Sequence, residues 1–155
     1  MEPVPTVSSG AANDAPRPLP AMGACVAVAE DDDDMRQLVA DALRRDGLRV
    51  LEFSNGVQLL MRLAHQSRRY EPHPRIDLIV SDVRMPTMTG LEILRGLRSG
   101  GCRTPVIVMT AFGDPETRRE VESLNAVLLD KPLSLADLGR EVRRMLEAGP
   151  AGEAE

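Results

Sequence analysis

Five short strand-like runs, four of them apolar, alternate along the chain with longer amphipathic stretches, and polar residues follow each run. The clearest run is Ile76 to Val80, which is rich in β-branched residues and leads directly into Asp82. A short, continuously apolar run is typical of a strand buried on both faces of a parallel sheet. Pro86 and Gly90 then mark the turn into the next helix. The other predicted strands are Cys25 to Ala29, Arg49 to Phe53, Pro105 to Met109 and Ala126 to Leu129, and the mixed polarity of Arg49 to Phe53 predicts an edge strand.

Helical periodicity fills the stretches between these strands. The first helix is predicted to bury Met35, Leu38, Val39, Ala42 and Leu43, and the second Val57, Leu60, Leu63 and Ala64. The fourth, Pro115 to Leu124, is polar nearly all round, with Val121 and Leu124 as its apolar anchors. Ser134 and Asp137 resemble a capping box that opens the last helix. The alternation of five strands and five helices predicts an α/β fold with a parallel sheet covered on both faces.

The domain is predicted to span residues 24–147. Residues 1–23 hold five prolines and no periodic apolar pattern, so we expect a disordered tail, with a short flexible tail at 148–155. The formal net charge of -5 and only three aromatic residues argue against nucleic-acid binding. No apolar run approaches the ~20 residues that span a bilayer. The N-terminus also lacks a signal-peptide pattern, so we expect a cytoplasmic protein without membrane contact.

The two cysteines fit a reducing compartment. Cys25 opens the first predicted strand and Cys102 precedes the fourth, with another strand expected between those two. That spacing exceeds the ~7 Å between Cα atoms that a disulfide tolerates. We therefore expect two free thiols.

Five polar residues lie at the carboxyl ends of four predicted strands. They are Glu30, Asp31, Asp82, Thr110 and Lys131. Each has an ordinary explanation when taken singly, as a turn residue, a helix cap or part of a solvated acidic run. These ordinary explanations do not account for the placement of all five residues together. The carboxyl ends of parallel strands meet at one edge of the sheet, which is where such folds bind ligands.

This combination of groups suits phosphoryl chemistry. Three carboxylates in one crevice repel one another unless a cation neutralises them, and Mg²⁺ accepts such oxygen ligands. A carboxylate beside Mg²⁺ can attack a phosphoryl group and form an aspartyl-phosphate. Lys131 and the Thr110 hydroxyl would then neutralise and hydrogen-bond the transferred group.

No DNA-binding or catalytic output region is recognised after Leu146, so we expect a stand-alone domain. Four separated motifs in this order resemble the receiver domain of two-component response regulators, of the CheY-like type. They are Glu30-Asp31 with Arg36 following, Asp82 to Pro86 with Gly90, Thr110-Ala111, and Lys131-Pro132. The resemblance covers roughly Ala24 to Glu147. It implies a flavodoxin-like doubly wound sheet with strand order 2-1-3-4-5.

The resemblance also implies a role for each site residue. Asp82 would accept the phosphoryl group, Thr110 would be the switch hydroxyl, and Lys131 would pair with the phosphoryl group. Mg²⁺ would be held directly by Asp31, Asp82 and the backbone carbonyl of Arg84, while Glu30 would act through water. A cis Lys131-Pro132 peptide is expected as well.

The implied partners are a sensor histidine kinase or phosphotransfer protein and an unidentified downstream protein, reached by phosphorylation-dependent contact. The domain would be a monomer or a weak phosphorylation-dependent dimer. It would lose its own phosphoryl group rather than act as a turnover enzyme.

Two features depart from the family pattern. Leu128 occupies the place, three residues before the lysine, where the family often has Tyr or Phe. The connection between the second helix and the third strand is longer than usual, by about Arg68 to Arg75.

Two other functions fit the sequence less well. A phosphatase working through an aspartyl-phosphate commonly has a second acid two residues after its nucleophile, where this chain has Arg84, and it needs a cap domain. A receiver that no longer accepts phosphate is disfavoured because every site residue is present.

Overall fold

A computed structural model describes residues 23–66 and 75–150. One parallel sheet of five strands lies at its centre, in the order β2-β1-β3-β4-β5. The strands are β1 (Cys25–Ala29), β2 (Arg49–Phe53), β3 (Leu78–Asp82), β4 (Val106–Thr110) and β5 (Val127–Asp130). The predicted fold class and strand order are confirmed, including the edge position of the mixed-polarity strand β2.

Five helices connect the strands. They are α1 (Asp33–Arg45), α2 (Gly56–Gln66), α3 (Gly90–Ser99), α4 (Pro115–Ser123) and α5 (Leu135–Ala148). A complete capping box opens α3, because the Thr89 side chain accepts from the Glu92 N–H and the Glu92 side chain accepts from the Thr89 N–H. At the start of α5 only half of the predicted box forms. Ser134 accepts from the Asp137 N–H at 3.1 Å, while the Asp137 carboxylate pairs with Arg140.

The sheet separates two apolar clusters. Helices α1 and α5 cover one face, and α2, α3 and α4 cover the other. Strands β1, β3 and β4 are buried along their whole length, as expected for the central strands of a sheet covered on both faces. This packing holds the carboxyl ends of the central strands at one edge.

Some element boundaries and faces differ from the sequence prediction. Strand β3 begins and ends two residues later than the predicted run, so Asp82 is its last residue rather than a residue beyond its end. On α1, Leu38 is 50% exposed whereas Ala40 is buried, and on α2, Val57 is 39% exposed whereas Leu59 is buried. Both helices carry apolar residues on more than one side, so the packing against the sheet selects which side is covered.

Both cysteines are free thiols. Cys25 is buried in β1, Cys102 is partly exposed, and β3 lies between β1 and β4 as predicted. No helix in the described ranges is long and apolar enough to cross a membrane. Residues 1–22 of the proposed tail, the Arg68 to Arg75 connection except for Arg75, and the last five residues lie outside the described part of the chain.

Candidate functional site

The sheet register brings the predicted site residues together at its carboxyl edge. Asp82 ends β3 and is paired with Met109 of β4, so Thr110 lies one residue further along the adjacent strand. Thr110 is in turn paired with Asp130 of β5, and Lys131 follows directly. Glu30 follows the last residue of β1, the other neighbour of β3. Four neighbouring strands thus deliver their polar groups to one edge.

Glu30, Asp31 and Asp82 form a compact acidic cluster. One carboxylate oxygen from each lies within 4.8 Å of the other two. Glu30 is 1% exposed and Asp82 is 7% exposed, whereas Asp31 lies at the surface. The cluster therefore has two carboxylates sunk into the protein and one at its mouth, with an open side toward solvent.

Lys131 supplies the positive charge in this crevice. Its Nζ lies 3.3 Å from Asp82 Oδ1 and 3.5 Å from Glu30 Oε1. The Lys131 N–H donates to the Thr110 carbonyl at 2.7 Å, and the Lys131-Pro132 peptide is cis, as expected. The ammonium lies beside the Asp82 carboxylate, where a group transferred to Asp82 would meet it.

Thr110 is buried, and its hydroxyl bonds to its own loop. The hydroxyl donates to the Phe112 carbonyl at 3.1 Å and accepts from the Phe112 N–H at 3.0 Å. A move of this hydroxyl toward a new acceptor would give up both contacts with the loop that leads into α4. Phe112 is itself 73% exposed.

The backbone of Asp82 is held by close packing. Ser81 donates its hydroxyl to the Asp82 carbonyl at 3.1 Å. A Cβ on Gly90 would lie 2.4 Å from the same carbonyl oxygen, so only glycine lets α3 start this close to β3. The Gly90 N–H also donates to the Val83 carbonyl at 3.0 Å. Sequence reasoning gave Gly90 a turn role and missed this approach, because it depends on the distance between two elements.

Burial makes Glu30 an unusually weak acid. Its pKa is raised from the ordinary 4.5 to about 7, chiefly by burial and further by the neighbouring Asp82 carboxylate. The Asp32 N–H and the Lys131 ammonium lower this pKa without cancelling the effect of burial. The cluster therefore resists carrying all its negative charges at neutral pH without a further cation. An all-oxygen set of three carboxylates is one that Mg²⁺ accepts, so these residues fit that ion.

The structure places five of the six predicted site residues in this crevice. The sixth, Arg84, lies two residues after Asp82 with an exposed side chain, and the role of its backbone carbonyl stays a prediction. Leu128, at the position where the family often has Tyr or Phe, is 6% exposed and packs in the core.

The fold and this acidic edge define the class of protein, and comparison with known proteins agrees. Residues 26–143 match the family described as "Response regulator receiver domain". The chain belongs to this family, as a receiver domain of two-component response regulators.

Individual relatives agree with that assignment. The chain is 34% identical over 125 residues to the Regulatory protein AtoC of Escherichia coli (strain K12), covering 79% of this chain and 25% of AtoC. It is 32% identical over 124 residues to the Response regulator receiver protein CpdR of Brucella abortus (strain 2308), covering 79% of this chain and 97% of CpdR. Among solved structures, the receiver domain of the Francisella response regulator 1452 matches with a TM-score of 0.71 and 25% identity, covering 81% of this chain and 98% of that one.

Proposed function

We propose that Asp82 accepts a phosphoryl group from a histidine kinase or phosphotransfer protein, and that the phosphorylated domain signals by contact with another protein. The observation that carries this proposal is the crevice in which two other carboxylates and the Lys131 ammonium surround Asp82. In the proposed step, an Asp82 oxygen attacks the donor's phosphorus atom, the P–N bond breaks, and the donor imidazole leaves with the electron pair.

Mg²⁺ fits this site and would be held by Asp31, Asp82 and the Arg84 carbonyl, with Glu30 through water. When bound, it would neutralise negative charge on the transferred oxygens. The protein's own groups then have separate tasks. Lys131 offsets charge beside Asp82, from which its Nζ is 3.3 Å away, and Thr110 can hydrogen-bond a phosphoryl oxygen after leaving its contacts with Phe112.

The output surface that we propose includes α4, because little apolar burial fixes this helix. Val121 is its one buried residue, and α4 is otherwise held by ion pairs such as Arg118 with Asp130 at 2.8 Å. Exposed pairs of this kind contribute only about 0–1 kcal/mol each. A helix held so weakly, at the end of the loop that binds the Thr110 hydroxyl, suits a two-state response.

We propose a phosphorylation-controlled binding module rather than a turnover enzyme. An aspartyl-phosphate phosphatase needs a general acid near its nucleophile, and the residue two places after Asp82 is the cation Arg84. The same proposal includes slow loss of the phosphoryl group by hydrolysis and a cytoplasmic location, which the two free thiols support.

Labelling by a small phosphoryl donor tests this function. Acetyl phosphate with Mg²⁺ should phosphorylate the purified chain, which intact-mass spectrometry detects, and chelation of Mg²⁺ should prevent it. Asp82→Asn should abolish the label. The control Asp77→Asn, at the residue just before the start of the same strand, should keep it, because an asparagine oxygen can still accept from the Cys25 N–H. Labelling that persists in Asp82→Asn or that ignores chelation would reject the assignment. Rapid turnover of a generic phosphomonoester would favour the phosphatase instead.

A further inference from the structure

Arg36, in the first turn of α1, links the turn that carries Glu30 and Asp31 to the edge strand β2. Its Nη1 donates to the Glu30 carbonyl at 2.9 Å, its Nη2 to Asp33 at 2.7 Å, and its Nε to Glu52 of β2 at 3.3 Å. The side chain is 17% exposed, whereas Asp33 is 83% exposed. Arg36 is therefore more enclosed than an ordinary side chain on a helix surface, and it links its own helix to two other segments, the turn after β1 and strand β2.

These contacts fix the turn that carries the two metal-facing acids. The Glu30 N–H donates to the Phe53 carbonyl of β2 at 3.0 Å, and the Glu30 carbonyl accepts from Arg36, which also bonds Glu52. Both backbone groups of Glu30 are thus tied to neighbouring residues of one strand. The next residue is Asp31, which stands at the surface with its position set by this backbone.

The planar guanidinium suits this task, because it can donate in three directions at fixed angles. A lysine at the same place has a single point charge on a flexible stem and could not hold a carbonyl and two carboxylates together. Outer groups that fix the orientation of metal ligands commonly change metal affinity by about 10–100-fold when they are removed.

The charge of Arg36, considered alone, predicts that removing this residue strengthens metal binding, which is the opposite of the effect expected from positioning. Arg36 is a permanent cation beside a site that we propose for a divalent cation, so its field repels the metal. If Arg36 acted only through this field, its removal would strengthen Mg²⁺ binding. The sign of the change in affinity therefore separates positioning from electrostatics.

We propose that Arg36 is a positioning residue for the metal site, which holds the Glu30–Asp31 turn in the geometry that binds Mg²⁺. This proposal rests on the proposed function, since it assumes that the acidic cluster binds Mg²⁺. It adds a residue that touches neither the metal nor the phosphoryl group and acts through the Glu30 backbone.

The test is an NMR titration with MgCl₂ that follows backbone amide shifts in the wild type, Arg36→Ala and Arg44→Ala. Arg44 is the matched control, because it lies on the same helix and pairs with the same Glu52 at 3.0 Å but makes its backbone contact to Val50. We expect Arg36→Ala to raise the dissociation constant for Mg²⁺ about tenfold or more, and Arg44→Ala to leave it within about twofold.

A kinetic measurement adds a readout that general destabilisation would not produce. Phosphorylation of Arg36→Ala by acetyl phosphate should need more Mg²⁺ for half-maximal rate, while its rate at saturating Mg²⁺ should approach that of the wild type. Equal or tighter Mg²⁺ binding in Arg36→Ala, or equal weakening in Arg44→Ala, would overturn the proposal.

Arg36→Lys keeps the test decisive if Arg36→Ala does not fold. It preserves the charge, so weaker Mg²⁺ binding in this variant supports positioning, and wild-type affinity overturns it. The two proposals fail in different ways. An error in the proposed function appears as failed or misplaced labelling of the wild type, whereas an error in the role of Arg36 appears as unchanged affinity in a chain that is labelled on Asp82.

Discussion

Replacing Glu30 with glutamine should stabilise the metal-free protein at pH 8, although it alters a buried residue of the site. Glu30 is 1% exposed and faces Asp82, Lys131 and the mouth of the cluster at Asp31. In the folded chain its pKa is raised to about 7, mainly by burial. Glutamine keeps nearly the same shape and an oxygen that can accept from the Asp32 N–H, as Glu30 does at 3.2 Å.

The magnitude follows from linkage between protonation and folding. A carboxyl with a higher pKa in the folded state costs no stability below pH 4.5, where both states are protonated. Stability is lost as the pH rises from about 4.5 through 7, because the unfolded state releases its proton first. A shift from 4.5 to about 7 corresponds to roughly 3 kcal/mol at pH 8. The pKa of about 7 already includes the lowering by Lys131, so loss of the 3.5 Å contact between Lys131 and the carboxylate requires no further correction.

Urea unfolding at pH 4.5 and pH 8 with a chelator present measures the effect. Circular dichroism at far-ultraviolet wavelengths is the suitable signal, because the chain has no tryptophan and a single tyrosine. For a denaturant dependence of about 1–3 kcal/mol per molar urea, a gain of 3 kcal/mol moves the midpoint by roughly 1–3 M. The wild type and Glu30→Gln should unfold at similar urea concentrations at pH 4.5 and differ at pH 8.

Addition of Mg²⁺ at pH 8 provides the control. The ion should stabilise the wild type by binding its folded state and should reduce the difference from Glu30→Gln. The reasoning is refuted if Glu30→Gln is less stable than the wild type at pH 8 in chelator, or if both proteins lose stability equally between pH 4.5 and 8.

Three further predictions concern the metal, the close packing of Asp82 and the output helix. Asp31→Asn should weaken Mg²⁺ binding more than Glu30→Gln does, because Asp31 is proposed as a direct ligand; an NMR titration with the reverse order would reject this division of roles. Gly90→Ala should destabilise the protein by about 1–3 kcal/mol in urea unfolding and slow phosphorylation, because its Cβ would meet the Asp82 carbonyl oxygen at 2.4 Å. The control Gly96→Ala, on the same helix with open space around it, should instead be more stable by about 0.5–1 kcal/mol. Phosphorylation should change amide-exchange protection most across residues 111–124, and a change centred elsewhere would contradict the proposed output surface.

The sequence alone determined the order of the elements and which polar residues lie together at the carboxyl edge of the sheet. Short β-branched runs separated by helical periodicity leave few topologies other than a parallel sheet with helices on both faces. Once that sheet is inferred, Glu30, Asp82, Thr110 and Lys131 must meet, because the carboxyl ends of parallel strands lie at one edge. These conclusions depend only on the order of the elements and the direction of the strands, and both can be inferred from local sequence patterns.

Tertiary packing decided what local patterns leave open. Apolar residues occur on more than one side of α1 and α2, and contact with the sheet chose Ala40 over Leu38 and Leu59 over Val57 for burial. The physical reason is that burial depends on the rotation of each helix against the layer beneath it, whereas periodicity gives only the relative positions of residues on the helix.

Distances between segments far apart in the chain were also decided only by the three-dimensional structure. The approach of Gly90 to the Asp82 carbonyl, and the link from Glu30 through Arg36 to Glu52, each join separate elements. The raised pKa of Glu30 likewise arises from burial, which several elements create together. The sequence identifies the chemical groups that a site can use. The distances between these groups and their exposure to water determine the geometry and the charge of the site, and the distances and the exposure both depend on the packed fold.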